Sequence, residues 1–302
     1  MPVRTLLTGA AGFVGPHLAR ALEACGDEVV GLDQSNGPDL LDGDRWVDTF
    51  QLHAPDVVFH LAGWSDVSGS WQQPVRTFQV NALGTLSVLE AARQAKVSRV
   101  VLISSADVYG PVSPDHQPIT ELLPPQPRSP YGVSKQAAEA LGLQYHRAHG
   151  LDVVIVRPFN HLGPGQSPQF AAPAFALQIA SAEHDGGGEI LHGDLSAKRD
   201  LTDVRDVVRA YRMLAMSGEP GEIYNVCSGT AVAMSDLLDM LVAHATVPIR
   251  RVLDPARLRP VELPVLQGSH TKLTEATGWE PEIPLARTLA DVLADARHRS
   301  EA

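Results

Sequence analysis

The 302-residue chain has only two cysteines, Cys25 and Cys227, and neither sits at a metal-binding spacing. With no secretory signal in view a disulfide is not expected, and both read as small buried hydrophobes. No apolar run reaches the length of a membrane span, and Met1–Leu7 is too short for the apolar region of a signal peptide. A basic surplus is lacking as well. The 24 Lys and Arg face 35 Asp and Glu, a formal net charge of −11, which argues against a nucleic-acid surface. No internal repeat or low-complexity tract occurs. What remains is an ordinary globular composition, 44% hydrophobic and 20% charged, long enough for one large α/β unit with an appended lobe. A soluble, cytoplasmic protein is expected.

Apolar runs and turn signals alternate through the first half of the chain. A strand over 3–8 leads into Gly9-Ala10-Ala11-Gly12-Phe13-Val14-Gly15, and apolar spacing predicts a helix from about Gly12 to Ala24. Glycines at a strand-to-helix turn let the backbone approach a pyrophosphate, and the helix N-terminus offers N–H donors. A glycine-rich turn can also be merely structural. The next strand, 28–32, ends in Asp33, placed to accept hydrogen bonds from an adenosine ribose and to repel a 2′-phosphate. Gln34, Ser35 and Asn36 follow without a basic residue, so NAD(H) is favoured over NADP(H), with NADP(H) kept as the alternative.

Residues 55–63 read as a third buried strand leading into a loop, with Leu61-Ala62-Gly63 beside the expected cofactor, and His60 within it reads as a satisfied core residue. Ser65 in the irregular stretch that follows is within reach of a substrate. A long amphipathic helix over 78–96 carries Asn81, and a fourth strand over 99–104 ends at Ser104-Ser105-Ala106-Asp107. Residues 111–130 hold seven prolines and no hydrophobic period, which predicts a surface loop framing the site. Tyr131-Gly132-Val133-Ser134-Lys135 then opens a helix to His149. A lysine one turn beyond a tyrosine lies on the same face, where its charge is expected to lower the phenol's pKa from roughly 10. A serine hydroxyl upstream can hold the substrate oxygen that gains or loses the proton. Tyr-x-x-x-Lys alone describes many exposed helical pairs; joined to Ser105 and the glycine loop it describes a proton-handling device.

Beyond a fifth strand at 153–156 and the segment Arg157-Pro158-Phe159-Asn160-His161, the pattern loosens. Helices are expected over 170–182, from a stretch opening at 197–207 through 216, and over 235–244, with short strands at 189–191 and 223–227. The alternation argues for a doubly wound parallel sheet, an α/β fold. Residues 1–165, with 201–228 returning, would form a dinucleotide-binding domain, and 166–200 with 229–302 a substrate lobe without a linker. Arg250, Arg251, Arg257 and Arg259 cluster in this acidic chain, either as a solvated basic face or as a diphosphate clamp that Arg199 could join.

Taken together, the motifs resemble the extended short-chain dehydrogenase/reductases that act on nucleotide sugars. The resemblance covers essentially the whole chain and rests on Gly9-x-x-Gly12-x-x-Gly15, Asp33, His60-Leu61-Ala62-Gly63, Asn81, Ser105, Tyr131-x-x-x-Lys135, Arg157-Pro158-Phe159-Asn160 and Arg199-Asp200-x-x-x-Val204-x-Asp206. It implies a Rossmann domain in which Ser105, Tyr131 and Lys135 are catalytic. The cofactor would be held by Gly9, Ala11, Gly12, Phe13, Val14, Gly15, Asp33, Leu40, Leu61, Ala62, Gly63, Asn81 and Pro158, together with Tyr131 and Lys135. Ser65, Ser105, Asn160, His161 and Arg199 would meet the substrate. The family also implies a homodimer through the helices at 78–96 and 131–149.

Within the family, Pro158 to Pro168 is similar to the bacterial GDP-4-keto-6-deoxy-D-mannose reductases. Asp254 to Pro264 is similar to a segment those enzymes share with GDP-mannose 4,6-dehydratases, by which Arg259 would hold a phosphate and Glu262 a ribose hydroxyl of GDP. The dehydratases carry Thr-Ser-Glu or Thr-Asp-Glu where this chain has Ser105-Ala106-Asp107. Ala106 has no proton to give, so Asp107 would orient substrate and a simple ketone reduction is favoured. Asp33 suits a redox-neutral 4-epimerase or 4,6-dehydratase equally well, and a non-catalytic NAD-sensing protein is the reading from another class.

Overall fold

Valine- and leucine-rich runs form the strands of a parallel sheet, and the residues between them fold back over its two faces. The computed structural model describes residues 2–258 and 264–301. Its strands are β1 (Arg4–Thr8), β2 (Glu28–Leu32), β3 (Val57–His60), β4 (Arg99–Ile103), β5 (Val153–Pro158) and β6 (Asn160–Leu162). They continue with β7 (Gly188–His192), β8 (Lys198–Asp203), β9 (Ile223–Val226), β10 (Ala231–Ala233), β11 (Ile249–Leu253) and β12 (Val265–Leu266). The helices are α1 (Gly15–Ala24), α2 (Gly43–His53), α3 (Val67–Ser70), α4 (Pro74–Phe78), α5 (Gly84–Gln94) and α6 (Pro130–His149). After them come α7 (Ala171–His184), α8 (Val204–Ser217), α9 (Met234–Val242), α10 (Thr271–Thr277) and α11 (Leu285–Glu301).

Six strands pair in the order β2-β1-β3-β4-β5-β9, all parallel. Side chains alternate across this sheet, as the two-residue strand period requires. Leu6, Val58, Val100, Leu102, Val153 and Ile155 pack toward α2, α5 and α6, while Leu7, Phe59, Val101, Val154 and Val156 pack toward α1, α8 and α10. Both faces are covered, which is why these strands read as continuous apolar runs. The chain leaves β1 for β2 on one side and crosses to β3 on the other. That reversal opens a crevice beyond the carboxyl ends of β1 and β3, where open α/β sheets bind ligands.

A second layer forms around β8, which pairs antiparallel with β10 and parallel with β12 and β6. β7 and β11 make a separate parallel pair. α7, α9 and α11 pack together through Phe175, Ile179, Leu237, Leu241, Leu289 and Leu293. β9 returns to the large sheet, and α10 packs on α8 and β9.

Four local expectations need correction. The stretch expected to open a helix from 197 is strand β8 as far as Asp203, whose side chain caps α8, so the helix begins only at Val204. The first helix begins at Gly15 and not at Gly12, because Gly9 to Val14 form a closed turn with Gly9 at φ +74°. Pro16 suits the first turn that follows. The helix expected over 78–96 starts at Pro74 and is interrupted by a π-helical turn at Gln79–Leu83, where the Asn81 side chain is held by a neighbouring loop. The proline-rich stretch is tied down: Ile119 is fully buried, its N–H donates to the Gln267 carbonyl, and Gln126 N–H donates to that of Val108.

Candidate active site

One continuous cavity of about 1590 Å³ runs from the glycine turn across the carboxyl ends of the strands to the smaller lobe. Every residue expected at the cofactor lines it except Asn81, and so do Ser65, Ser105, Asp107, Asn160, His161 and Arg199. Arg259 and Glu262 lie outside the described residues.

The cofactor end is built by backbone close approach. A Cβ on Gly9 would lie 2.8 Å from the Ala62 nitrogen, and one on Gly63 would lie 2.7 Å from Asn81 Oδ1, so the loops after β1 and β3 meet without side chains between them. A Cβ on Gly15 would lie 2.2 Å from the Ala10 carbonyl oxygen, which fixes the turn entering α1. This bare turn, opening onto a helix N-terminus, fits the pyrophosphate of a dinucleotide. Asp33 follows β2, and its Oδ1 accepts hydrogen bonds from Ser35 N and Ser35 Oγ, both at 2.7 Å. Those bonds hold its carboxyl below the usual range, so it is ionised at neutral pH.

Asn81 stands behind the cradle and not in it. Its Oδ1 accepts from Trp64 N at 2.7 Å, and its Nδ2 donates to Ser134 Oγ at 2.8 Å. Ser134 Oγ donates in turn to the Tyr131 carbonyl at 2.7 Å. The expected cofactor contact is thus a tie between the β3 loop and the catalytic helix. His60 is buried, with Thr8 Oγ1 at 2.7 Å and Thr85 Oγ1 at 3.1 Å, and burial lowers its pKa to about 3.

The catalytic trio comes from two adjacent segments. Ser105 caps a short 3₁₀ turn; its Oγ accepts from Asp107 N and donates to Asp107 Oδ2, each at 3.2 Å. Ser129 caps α6 by accepting from Gly132 N at 3.0 Å, and Pro130 occupies the first turn. Tyr131 and Lys135 therefore fall one turn apart, both buried. The expected lowering of the phenol's pKa is not what this geometry produces. Burial pushes Tyr131 up, the Asp107 charge adds to that, and only the hydrogen bond with Ser105 opposes them. Lys135 is brought down to about 8 by burial, against the pull of Glu139, and its Nζ donates to the Ile103 carbonyl at 2.8 Å. The trio thus presents a protonated phenol beside an ammonium.

At the lobe end the expected arginine cluster divides. Arg250 pairs with Glu189 and Arg251 with Asp239 on the exposed β11, and neither lines the cavity. Arg257 does line it, with its Nε 3.2 Å from Asp254 Oδ2. Arg199 lines it near Asp107, whose charge raises its pKa while burial lowers it more strongly. His161 stacks on Phe13 with ring centroids 5.9 Å apart, and its Nδ1 donates to the Phe159 carbonyl at 3.0 Å. Phe170, Phe175, Met234 and Leu237 add an apolar wall that carried no motif, since they come from separate helical segments.

Residues 5–227 match the model of the NAD dependent epimerase/dehydratase family. The chain is 42% identical over 297 residues to the GDP-6-deoxy-D-mannose reductase of Pseudomonas aeruginosa, covering 98% of this chain and 97% of that one. The solved structure of RMD from Pseudomonas aeruginosa complexed with NADPH superposes with a TM-score of 0.92 at 41% identity, covering 98% of this chain and 99% of that one. The UDP-glucose 4-epimerase of Thermus thermophilus, solved in complex with NAD, gives 0.85 at 32%, covering 97% and 99%. With the glycine cradle and the Ser105, Tyr131 and Lys135 geometry in place, the chain belongs to the NAD dependent epimerase/dehydratase family and is an NAD(P)-dependent oxidoreductase of the extended short-chain dehydrogenase/reductase type.

Proposed function

We propose that this enzyme reduces the 4-keto group of a nucleotide-linked 4-keto-6-deoxyhexose, with GDP-4-keto-6-deoxy-D-mannose as substrate and GDP-D-rhamnose as product. The observation that carries the reading is the set of acid groups at the reacting end. Tyr131 is kept protonated by burial, which is the form that a ketone reduction consumes. Ala106 beside it has no proton to give, and Asp107 accepts the Ser105 hydroxyl. A dehydratase would need a further acid and base to expel a hydroxyl and remove a ring proton. The likeness to a GDP-6-deoxy-D-mannose reductase over 98% of the chain supports the same reading.

When bound, the reduced nicotinamide supplies the hydride that adds to the sugar carbonyl carbon. Gly9, Gly12 and the start of α1 would hold its pyrophosphate, Asp33 the adenosine ribose, and Pro158 would lie by the nicotinamide. Tyr131 gives its phenolic proton to the carbonyl oxygen as negative charge develops there. Ser105 Oγ turns its one proton from Asp107 to that oxygen, and the Lys135 ammonium stabilises the phenolate left behind. Arg199 and Arg257 lie where a sugar diphosphate would extend from that centre into the lobe.

Adding GDP-4-keto-6-deoxy-D-mannose to the enzyme with NADH, and in parallel with NADPH, should consume reduced cofactor in stoichiometric amount. Conversion with no net cofactor loss would instead overturn the reductase reading and indicate a redox-neutral enzyme. We further propose a homodimer through α4, α5 and α6, where Val75, Phe78, Leu83 and Val133 are exposed. Sedimentation should return twice the 32.4 kDa chain mass, and a monomer at micromolar concentration would refute it.

A further inference from the structure

A single buried carboxylate touches the three segments that carry the chemistry. Glu139 lies one helical turn beyond Lys135 on α6 and is 3% exposed. Its Oε1 accepts from Ser104 Oγ at 2.5 Å and from Arg157 Nε at 2.8 Å, and its Oε2 accepts from Arg157 Nη2 at 2.7 Å. Ser104 directly precedes Ser105, and Arg157 directly precedes Pro158. Arg157 is 2% exposed, with its guanidinium carbon 4.7 Å from the centre of the Tyr109 ring, and the Tyr109 hydroxyl donates to Asn225 Oδ1 at 2.7 Å. Burying two charges is costly, and an apolar pair of similar volume is often at least as stable. The position of this pair suggests a role other than stability.

We propose that Glu139 is a positioning residue, the counter-charge of Lys135 and the tie that holds Ser105, Pro158 and the Tyr131–Lys135 turn in one arrangement. The other groups around Lys135 supply little negative charge. His60 on β3 is neutral, Ile103 on β4 offers a carbonyl, and Tyr131 on the same helix stays protonated. Asp107 acts on Tyr131 and on Arg199, whereas Glu139 is the acidic group that favours the Lys135 ammonium against burial. Only the consequence for turnover rests on the reductase reading; the electrostatic link stands apart from it.

The test follows Lys135 itself. The chain has four lysines, so lysine side-chain NMR resonances can be resolved, and K135M identifies the one of interest. In the wild-type protein Lys135 should titrate near pH 8. E139Q alone leaves the Arg157 charge buried and should lower thermal stability, and the neutral pair E139Q/R157M removes a cation along with the anion, so the deciding comparison is R157M against E139Q/R157M, which differ only in the carboxylate. In the double variant Lys135 should titrate at least about one pH unit lower than in R157M, the scale on which a close opposite charge acts. Folded variants, judged by circular dichroism and cooperative melting, in which Lys135 titrates at the same pH with and without the carboxylate would overturn the proposal. Should the wild-type enzyme leave the keto sugar unreduced, the reductase reading fails while this titration still decides the role of Glu139.

Discussion

Replacing Tyr131 with Phe is expected to cut turnover by about 10²–10⁴-fold, the contribution of a positioned general acid, while cofactor affinity stays near the wild-type value. The substitution removes one hydroxyl from a side chain that is 7% exposed and keeps the ring that fills the space. The backbone contacts of the residue survive, since Tyr131 N donates to Ser70 Oγ and its carbonyl accepts from Ser134 Oγ. Single-turnover kinetics with a fluorescence titration of NADH would separate the two effects. A variant that kept a tenth or more of the rate would mean that the proton comes from elsewhere.

The same geometry sets a direction for pH. Lys135 has a pKa brought down to about 8, so its ammonium is present below that value and lost above it. Tyr131 is pushed up and stays protonated over the same range. The reduction rate should therefore hold across neutral pH and fall as pH rises through about 8, and this fall reports the lysine, not the tyrosine. The reverse, oxidative direction would need the phenol without its proton, which burial opposes.

Asp33→Ser is expected to shift cofactor preference toward NADPH by about tenfold or more, because placing like charges together at a binding site is strongly unfavourable. Asp33 is ionised, and the three residues after it include no cation that could pair with a 2′-phosphate. Its carboxylate is also turned partly into its own loop, with Oδ1 taken by Ser35. That detail matters because a chain 41% identical was solved with NADPH. Steady-state kinetics with both cofactors on wild type and variant would decide. If the wild type already works better with NADPH, the carboxylate does not reach the ribose and the preference for NADH is wrong.

How much of this was readable in advance follows the range of the interactions. The glycine turn, the acidic end of β2, and Ser105 with Tyr131 and Lys135 are local patterns, since each depends on residues within one or two turns of chain. The strand alternation and the α/β class were equally accessible, because a sheet covered on both faces imposes apolar runs such as Val153–Val156. Contacts between distant residues were not. Asn81 was expected at the cofactor, and only the packing of the β3 loop against α6 showed it holding Trp64 and Ser134 instead. Arg250 and Arg251 read equally as a solvated basic face or as half of a phosphate clamp, and the pairing of β11 with β7, which sets Glu189 beside Arg250, together with Asp239 of α9 at Arg251, favours the solvated face.

The amino-acid sequence by itself determined which chemical groups this protein has for its reaction and the order in which local elements present them. The tertiary structure decided their electrical state. Spacing alone put a lysine beside a tyrosine and suggested a lowered phenol, whereas burial raised the phenol and lowered the lysine. Ionisation depends on how much water is excluded and which charge comes close, and both are set by residues far apart in the chain, Glu139 with Arg157 and Ser104 among them.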